Sequence, residues 1–451
     1  MSIHLLWTDT AVWMLVAVVA IWFFKKMRDD AFMRMWRRIF RSHIAAASAV
    51  VLAFYIMIAL SDSLHFRIEK ASANDALQEG EIVSLLDLTM LHRKAYGERT
   101  YSAPFATTEY VKSIVVDANG KTTQRRLPLR HVAQDDRFLS ESVRAVVIGI
   151  FLSLLLIVGD MLYRKNDTLR RYAVSVWRGE TEIPWRTAYG MLALLTTVAT
   201  WMYLMSFSYH VLGTDKVGGD LFYASLKSIR TGVLIGILTT VVTLPLAVFL
   251  GVSAGYFRGW VDDGIQYLYT TLSSIPGVLL IAAGVLMMQV MMDNHPDWFA
   301  SSVERSDLRL LFLIVILGMT SWTGLCRMLR AETLRVAQSD FVVAAKAFGV
   351  GKWRIMYRHI VPNLTHIILI AVVLDFSGLV LAEAVLSYVG VGVDPTMYSW
   401  GNMINQARLE MAREPMVWWS LFSAFSFMFV LVLAANLFAD RIQHVLDPRN
   451  A

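Results

Sequence analysis

The chain has 451 residues, of which 56% are hydrophobic and only 17% charged, with a mean hydropathy of +0.50. Soluble domains carry about 45–50% apolar and about 25% charged residues, so this composition argues against a disordered chain, a disulfide-built secreted scaffold or a nucleic-acid module and points to a bilayer as solvent. The net charge of +6 is modest for the length and suits basic loops on one side of a membrane, and the single cysteine, Cys326, rules out an intrachain disulfide.

Crossing about 30 Å of hydrocarbon takes about 20 mostly apolar helical residues. Nine stretches qualify, near residues 10–24, 43–60, 143–163, 187–207, 228–256, 265–292, 308–328, 363–388 and 416–439. The first is short enough to be tilted or interfacial. It does not read as a signal peptide. Met1 to Thr10 carries Asp9 and no Lys or Arg, and the positive charges follow the apolar run at Lys25, Lys26 and Arg28. The reading is an uncleaved anchor with its N-terminus outside.

Loop charge supports that orientation. Residues 25–42 hold seven basic and two acidic side chains, 164–186 six and three, and 327–362 seven and two. The alternate loops lack this excess: 61–140 holds eleven of each, 293–307 one basic and four acidic, and 389–415 two and three. Basic loops stay inside, so nine spans put the N-terminus outside and the C-terminus in the cytoplasm.

The external segment 61–140 reads as a small folded insertion. Glu81 to Arg93 has the helical spacing Ile82, Leu85, Leu86 and Leu88. Tyr110–Val116 and the run to Leu129 flank Asp117-Ala-Asn119-Gly120, a hairpin signal. The polar stretch 164–186, with Pro184, marks a boundary. Three of the nine spans lie before it, in residues 1–180, and six after it, in 181–451.

No enzyme chemistry stands out. A P-loop is missing, since Gly351-Lys352 is followed by Trp353 and Lys346 stands where the first glycine would. There is no His-Glu-x-x-His, no nucleophile elbow and no thiolate cluster, so neither a metal nor another cofactor is expected.

The informative loop is 330–362. Asp340 is placed to cap a short helix through Ala347, and Gly349 to end it in a left-handed conformation. A second helix should run from Lys352 to His359, with Pro362 opening the next span. This basic helix-turn-helix resembles the coupling loop of ABC importer permeases. That pattern is Glu-Ala-Ala, three residues, Gly, and a proline thirteen residues further on. Ala344, Ala345, Gly349 and Pro362 match it, while Val343 replaces the Glu, His359 an Ile and Val361 a Leu.

Further segments resemble the dipeptide, oligopeptide and nickel branch of that family in the family's order. They are His210-Val-Leu-Gly-Thr-Asp215, Gly255-Tyr-Phe-Arg-Gly-Trp-Val-Asp262, Ser274-Ile-Pro276-Gly, Glu383-Ala-Val-Leu-Ser-Tyr-Val-Gly390-Val-Gly392, Ser399-Trp400-Gly401-Asn402-Met403 and Leu446-Asp447-Pro448-Arg449. The resemblance covers roughly 187–451 and is nearest to the C-type partner of the two permeases. It implies an all-α polytopic membrane protein of the inner membrane. The implied partners are a homologous second permease, two ABC ATPase subunits and an extracytoplasmic solute-binding protein, with no nucleic acid. Cargo would be di- or oligopeptides, with nickel or other metal chelates and modified peptides as the alternative. A membrane sensor would need a longer cytoplasmic effector, and a secondary transporter clustered intramembrane charges and inverted repeats. The resemblance leaves residues 1–180 without a counterpart.

Within the loop, Phe341, Phe348 and Trp353 are the expected apolar contacts to the ATPase, beside Ala344, Ala345, Gly349 and Pro362. Gly251 and Gly255 form a small-residue pair for close helix packing, and Pro245 in the same helix frees a carbonyl and is placed to kink it. Asp375 and Glu383 are the pathway candidates, because a charge inside a span is costly. Lys227 and Arg230 read as snorkelling to the interface. Trp400, Trp418 and Trp419 read as an interfacial belt, and Cys326 as a small buried hydrophobe.

Overall fold

The computed structural model describes residues 2–68, 80–94, 97–116, 122–132, 137–164, 169–299 and 301–446. In chain order its first elements are β1 (Ser2–Ile3), α1 (Trp7–Lys26), α2 (Asp30–Phe40), α3 (His43–Asp62), β2 (His65–Arg67), β3 (Ile82–Ser84), α4 (Leu85–Thr89) and α5 (Leu91–Lys94). Next come β4 (Ser113–Val116), β5 (Thr122–Arg125), α6 (Phe138–Arg164), α7 (Leu169–Arg178), α8 (Trp185–Ser208) and α9 (Leu221–Phe257). The remainder is α10 (Trp260–Ser274), α11 (Gly277–Asp293), α12 (Ser302–Val336), α13 (Asp340–Ala347), α14 (Lys352–Ile355), α15 (Val361–Val389), α16 (Trp400–Glu410) and α17 (Trp419–Leu446).

Among the described residues, eight helical stretches are long and apolar enough to cross a membrane: α1, α3, α6, α8, α9, α12, the run Lys352–Val389, and α17. The expected sixth span, 265–292, is not one straight helix. It is the pair α10 and α11, bent by 87°. Pro276 pushes the residue before it toward extended backbone, and Ile275 sits there with ψ 132°. Counting that pair as one span gives nine.

Packing divides the chain into two compact units. One comprises Met1–Leu5, Ala17–Thr231 and Tyr398–Phe438, the other Leu6–Val16, Gly232–Met397 and Ala439–Ala451. Neither ends at residue 180.

The first unit carries the insertion. Strands β1, β2 and β3 form an antiparallel sheet in that order, with His65 opposite Ser84 and Phe66 opposite Val83. β4 and β5 pair as a hairpin, Ser113 opposite Arg125 and Val116 opposite Thr122. The expected turn Asp117–Gly120 lies outside the described residues. The expected helix over Glu81–Arg93 is corrected: Ile82–Ser84 is strand, and helix begins at Leu85. The reason is a capping box, in which Ser84 Oγ accepts from the Asp87 N–H and Asp87 Oδ2 from the Ser84 N–H, each at 3.0 Å.

In the same unit α6 packs along α8, where a Cβ on Gly149 would lie 2.9 Å from Thr197 Cα. Two of the belt tryptophans are buried instead, Trp400 and Trp419 each at 1% exposure. Their indole N–H groups donate to backbone carbonyls, Trp400 to Ser225 at 3.3 Å and Trp419 to Thr214 at 3.1 Å. An indole whose N–H finds a partner loses little on burial.

In the second unit α9 lies against α12. A Cβ on Gly251 would meet the Cys326 carbonyl oxygen at 2.7 Å, and one on Gly255 would meet Thr333 Cβ at 2.6 Å. Small residues let the two backbones approach this closely. Cys326 is fully buried beneath that contact, among Ala247, Leu325 and Leu329.

Candidate functional site

The 330–362 loop belongs to the second unit. The N-cap position of α13 is held by Ser339, in extended backbone, rather than by Asp340, which occupies the first helical position; the Ser339 hydroxyl donates back to the Val336 carbonyl at 2.6 Å. Val342 and Ala345 face inward and join a cluster with Leu329, Ile355, Met356 and Ile360. The helix stops as expected at Gly349, with φ +72°. The Gly349 N–H bonds to the Lys346 carbonyl at 3.0 Å and the Val350 N–H to the Ala345 carbonyl at 3.1 Å. This is the Schellman arrangement, with Val350 packed on the core below.

The opposite side of α13 is exposed and apolar. Phe341, Ala344 and Phe348 follow one another at i, i+3 and i+7 and therefore share a face. Phe341 is 46% and Phe348 87% exposed. Five of the seven expected loop residues are thus placed together at the surface or its turn, namely Phe341, Ala344, Phe348, Gly349 and, on the next segment, Trp353. Ala345 is inside. Trp353 is also an anchor, edge-on to Phe257 at 5.6 Å and stacked 6.3 Å from Phe249.

The second helix does not end before the span. α14 passes through a π-turn, Met356–Ile360, directly into α15, and Pro362 stands in the first turn of α15, where it opens the span as expected. Proline lacks an N–H, and its ring clashes with the carbonyl four residues back. The wider π-turn makes room for it, and the Asn363 side-chain amide donates to the His359 carbonyl at 2.6 Å. In the same unit, Arg330 on α12 grips Asp262 on α10 through two bonds of 2.5 and 2.7 Å. The loop is therefore a stiff projection clamped to α9, α10 and α12.

The two intramembrane acids differ. Glu383 is buried and accepts from Ser387 Oγ at 2.7 Å, and Ser387 in turn accepts from the Val393 N–H at 3.1 Å. It braces the turn that follows α15. Asp375 is half-buried near the middle of α15, and makes no hydrogen bond or ion pair among the described residues.

In the first unit the segment His210–Asp220 meets the insertion. The Thr214 N–H bonds to the Ser102 carbonyl at 3.1 Å, the Glu98 N–H to the Gly218 carbonyl at 3.0 Å, and the Phe105 N–H to the His210 carbonyl at 3.0 Å. Asp220 caps α9 by accepting from the Phe222 and Tyr223 N–H groups at 2.9 and 3.1 Å, and lies 2.6 Å from His210 Nδ1. Arg93 completes the cluster, donating to the Ser206 and Tyr209 carbonyls beside Asp220. Gly218 has φ +80°, and a Cβ there would lie 1.9 Å from the Glu98 carbonyl oxygen. Gly218→Ala should therefore undock residues 97–110. Limited proteolysis of the variant should cut the insertion at least tenfold faster than wild type.

Lys227 and Arg230 do not snorkel. Lys227, its side chain 13% exposed, bridges Asp62 at 2.8 Å and Asp87 at 2.9 Å. Tyr223 donates to Asp87 at 2.7 Å, Ser84 to Asp62 at 2.5 Å, and buried Arg230 to Ser63 at 3.2 Å. Burial alone would raise the Asp87 carboxyl, but Lys227 and Lys94 outweigh it and hold it far below the usual carboxylate range. No sequence pattern announces this cluster, because its acids stand 165 and 140 residues away from Lys227.

Residues 247–451 match the family described as the binding-protein-dependent transport system inner membrane component. The chain is 31% identical over 242 residues to the glutathione transport system permease protein GsiD of Pectobacterium atrosepticum, covering 54% of this chain and 73% of the relative. It is 30% identical to the oligopeptide transport system permease protein OppC of Mycobacterium bovis, covering 53% and 76%. It is 28% identical to the dipeptide transport system permease protein DppC of Bacillus subtilis, covering 53% and 69%.

Proposed function

The chain belongs to the inner-membrane component family of binding-protein-dependent transport systems, and from that premise we propose that it is a permease subunit of an ATP-driven importer of di- or oligopeptides. The peptide cargo is argued from the names of its relatives, which carry dipeptide, oligopeptide and glutathione transport. Those names favour peptides over metal chelates. A second permease would complete the path, two ATPase subunits would bind the cytoplasmic side, and a solute-binding protein would deliver cargo outside. ATP hydrolysis falls to the partners. The alternating loop charges support an N-terminus outside and a C-terminus in the cytoplasm. In functional terms, 181–451 is the six-span core and 1–180 an extension carrying the 61–140 insertion.

The observation that carries the reading is the exposed apolar face of α13. A stripe of Phe341, Ala344 and Phe348 at helical spacing suits a hydrophobic groove on a partner. Its rigid Schellman end and clamped base would pass a partner's motion to the spans as rigid-body rocking, giving alternating access. Gly251 and Gly255 would keep α9 and α12 moving as one body.

Reconstituted with its partners, the chain should accumulate trialanine only with ATP and binding protein present. Accumulation driven by an ion gradient alone would instead indicate a secondary transporter. Asp375 is proposed to face the path. Asp375→Asn should then lower uptake at least tenfold with assembly intact, and normal uptake would remove Asp375 from the mechanism.

A further inference from the structure

One cavity in the first unit is separate from the coupling loop and from the unit's two ionic clusters. It has a volume of about 200 Å³ and is lined by Tyr101, Lys216, Asn405, Gln406, Leu409, Glu410 and Arg413. Glu410 ends α16 and is only 4% exposed. Its Oε1 accepts from the Tyr101 hydroxyl at 2.9 Å, while its Oε2 has no hydrogen-bond partner among the described residues. A buried carboxylate oxygen without a donor is costly. Arg413 lies over the Tyr101 ring at 5.3 Å. Neither Arg413 nor Lys216 forms an ion pair among the described residues, although both act electrostatically on Glu410.

We propose that this cavity is a docking site for the termini of a short zwitterionic peptide, with Glu410 taking the N-terminal ammonium and Lys216 and Arg413 the C-terminal carboxylate. The proposal rests on the import reading, which places the cavity on the outer side. Three features select this ligand. The volume is small beside the roughly 300–1,000 Å³ of sites for drug-sized ligands, so it suits one to three small residues. The ammonium supplies the donor that Oε2 lacks. A cationic side chain from a docking protein would leave Lys216 and Arg413 unmatched, and a simple anion would leave Glu410 unmatched. Asn405 and Gln406 offer amides for the peptide backbone. Burial raises the Glu410 carboxyl, with Tyr101, Arg413 and Lys216 pulling it down and Asp215 reinforcing the rise. An arriving ammonium would shift that balance toward the carboxylate. Burial and Glu410 push the Tyr101 hydroxyl up to about 12, so it remains a donor.

The test is saturation-transfer NMR on the full chain in nanodiscs, without binding protein, using trialanine, N-acetyl-trialanine and trialanine amide. Charge-assisted hydrogen bonds should make the free-ended peptide bind about tenfold more tightly than either capped form. Glu410→Gln should erase the preference over the N-acetyl form only. Lys216→Ala with Arg413→Ala should erase the preference over the amide only. The cap series on the wild-type chain tests the proposal even where a variant misfolds. Equal binding of all three peptides would overturn it, as would preferences that survive the substitutions. ATP-driven uptake without cap-dependent binding would contradict the site alone. Cap-dependent binding without uptake would support the site and contradict the import reading.

Discussion

Phe348→Asp should abolish coupled uptake while leaving the chain inserted and folded. Phe348 is 87% exposed and makes no ring contact among the described residues, so the fold gives up little when it is replaced. In the proposed complex the same ring fills a groove on an ATPase subunit. Aromatic anchors of that kind are worth about 2–4 kcal/mol at an interface, and a desolvated carboxylate adds to the loss. Copurified ATPase should fall at least 100-fold. Phe341→Asp should behave alike, since it shares the face. Gly349→Val reaches the same end through the backbone. No atom crowds a Cβ there, so the cost is the left-handed conformation itself, about 1–2 kcal/mol and more for a β-branched residue. The loop should then assemble poorly or hydrolyse ATP without transport. Normal coupled uptake by Gly349→Val would remove the coupling assignment.

Lys227→Met should destabilise the first unit by about 3–5 kcal/mol at neutral pH, the usual loss when one partner of a buried ionic group is removed. Asp62 and Asp87 would remain buried without their shared ammonium. The pH dependence gives the mechanism away. In the wild type the Asp87 carboxyl is depressed, so its contribution is present above the ordinary value of about 3.9 and is lost only as pH falls through its lower folded value. In the variant the main opposing charge is gone and burial acts against the ionised form. Acidification should then recover part of the lost stability, because protonation discharges the buried acid. Thermal melts in detergent from neutral to mildly acidic pH check this. A loss that does not change with pH would point to packing instead.

The spans and the helix-turn-helix of residues 330–362 were legible because they rest on local rules. A run of apolar residues and the spacing of Ala344, Ala345, Gly349 and Pro362 require nothing distant in the chain. The proline signals were legible only in part. Pro276 breaks its helix by 87°, whereas Pro362 is absorbed by a π-turn, and the difference lies in whether neighbouring backbone makes room. Lys227 failed for another reason. At the end of an apolar run, snorkelling and a buried ion pair leave the same trace, and Asp62 and Asp87 are brought to it only by the fold. Trp400 and Trp419 failed similarly, since burial depends on carbonyls of Ser225 and Thr214 that periodicity does not reveal. Glu410 gave no signal at all. Its orphan oxygen exists only once Tyr101 of the insertion is packed against α16.

The most direct test uses the chain's single cysteine. Cys326 is fully buried, so Ala347→Cys, at an exposed position of α13 beside Phe348 that leaves the aromatic face intact, introduces the one exposed thiol, which can carry a benzophenone maleimide in native membranes. Irradiation should give a cross-linked product in which mass spectrometry finds a P-loop ATPase peptide, with a yield that changes on adding ATP. Cross-links to lipid or to this chain alone, from a protein recovered without any ATPase, would contradict a coupling role for the loop.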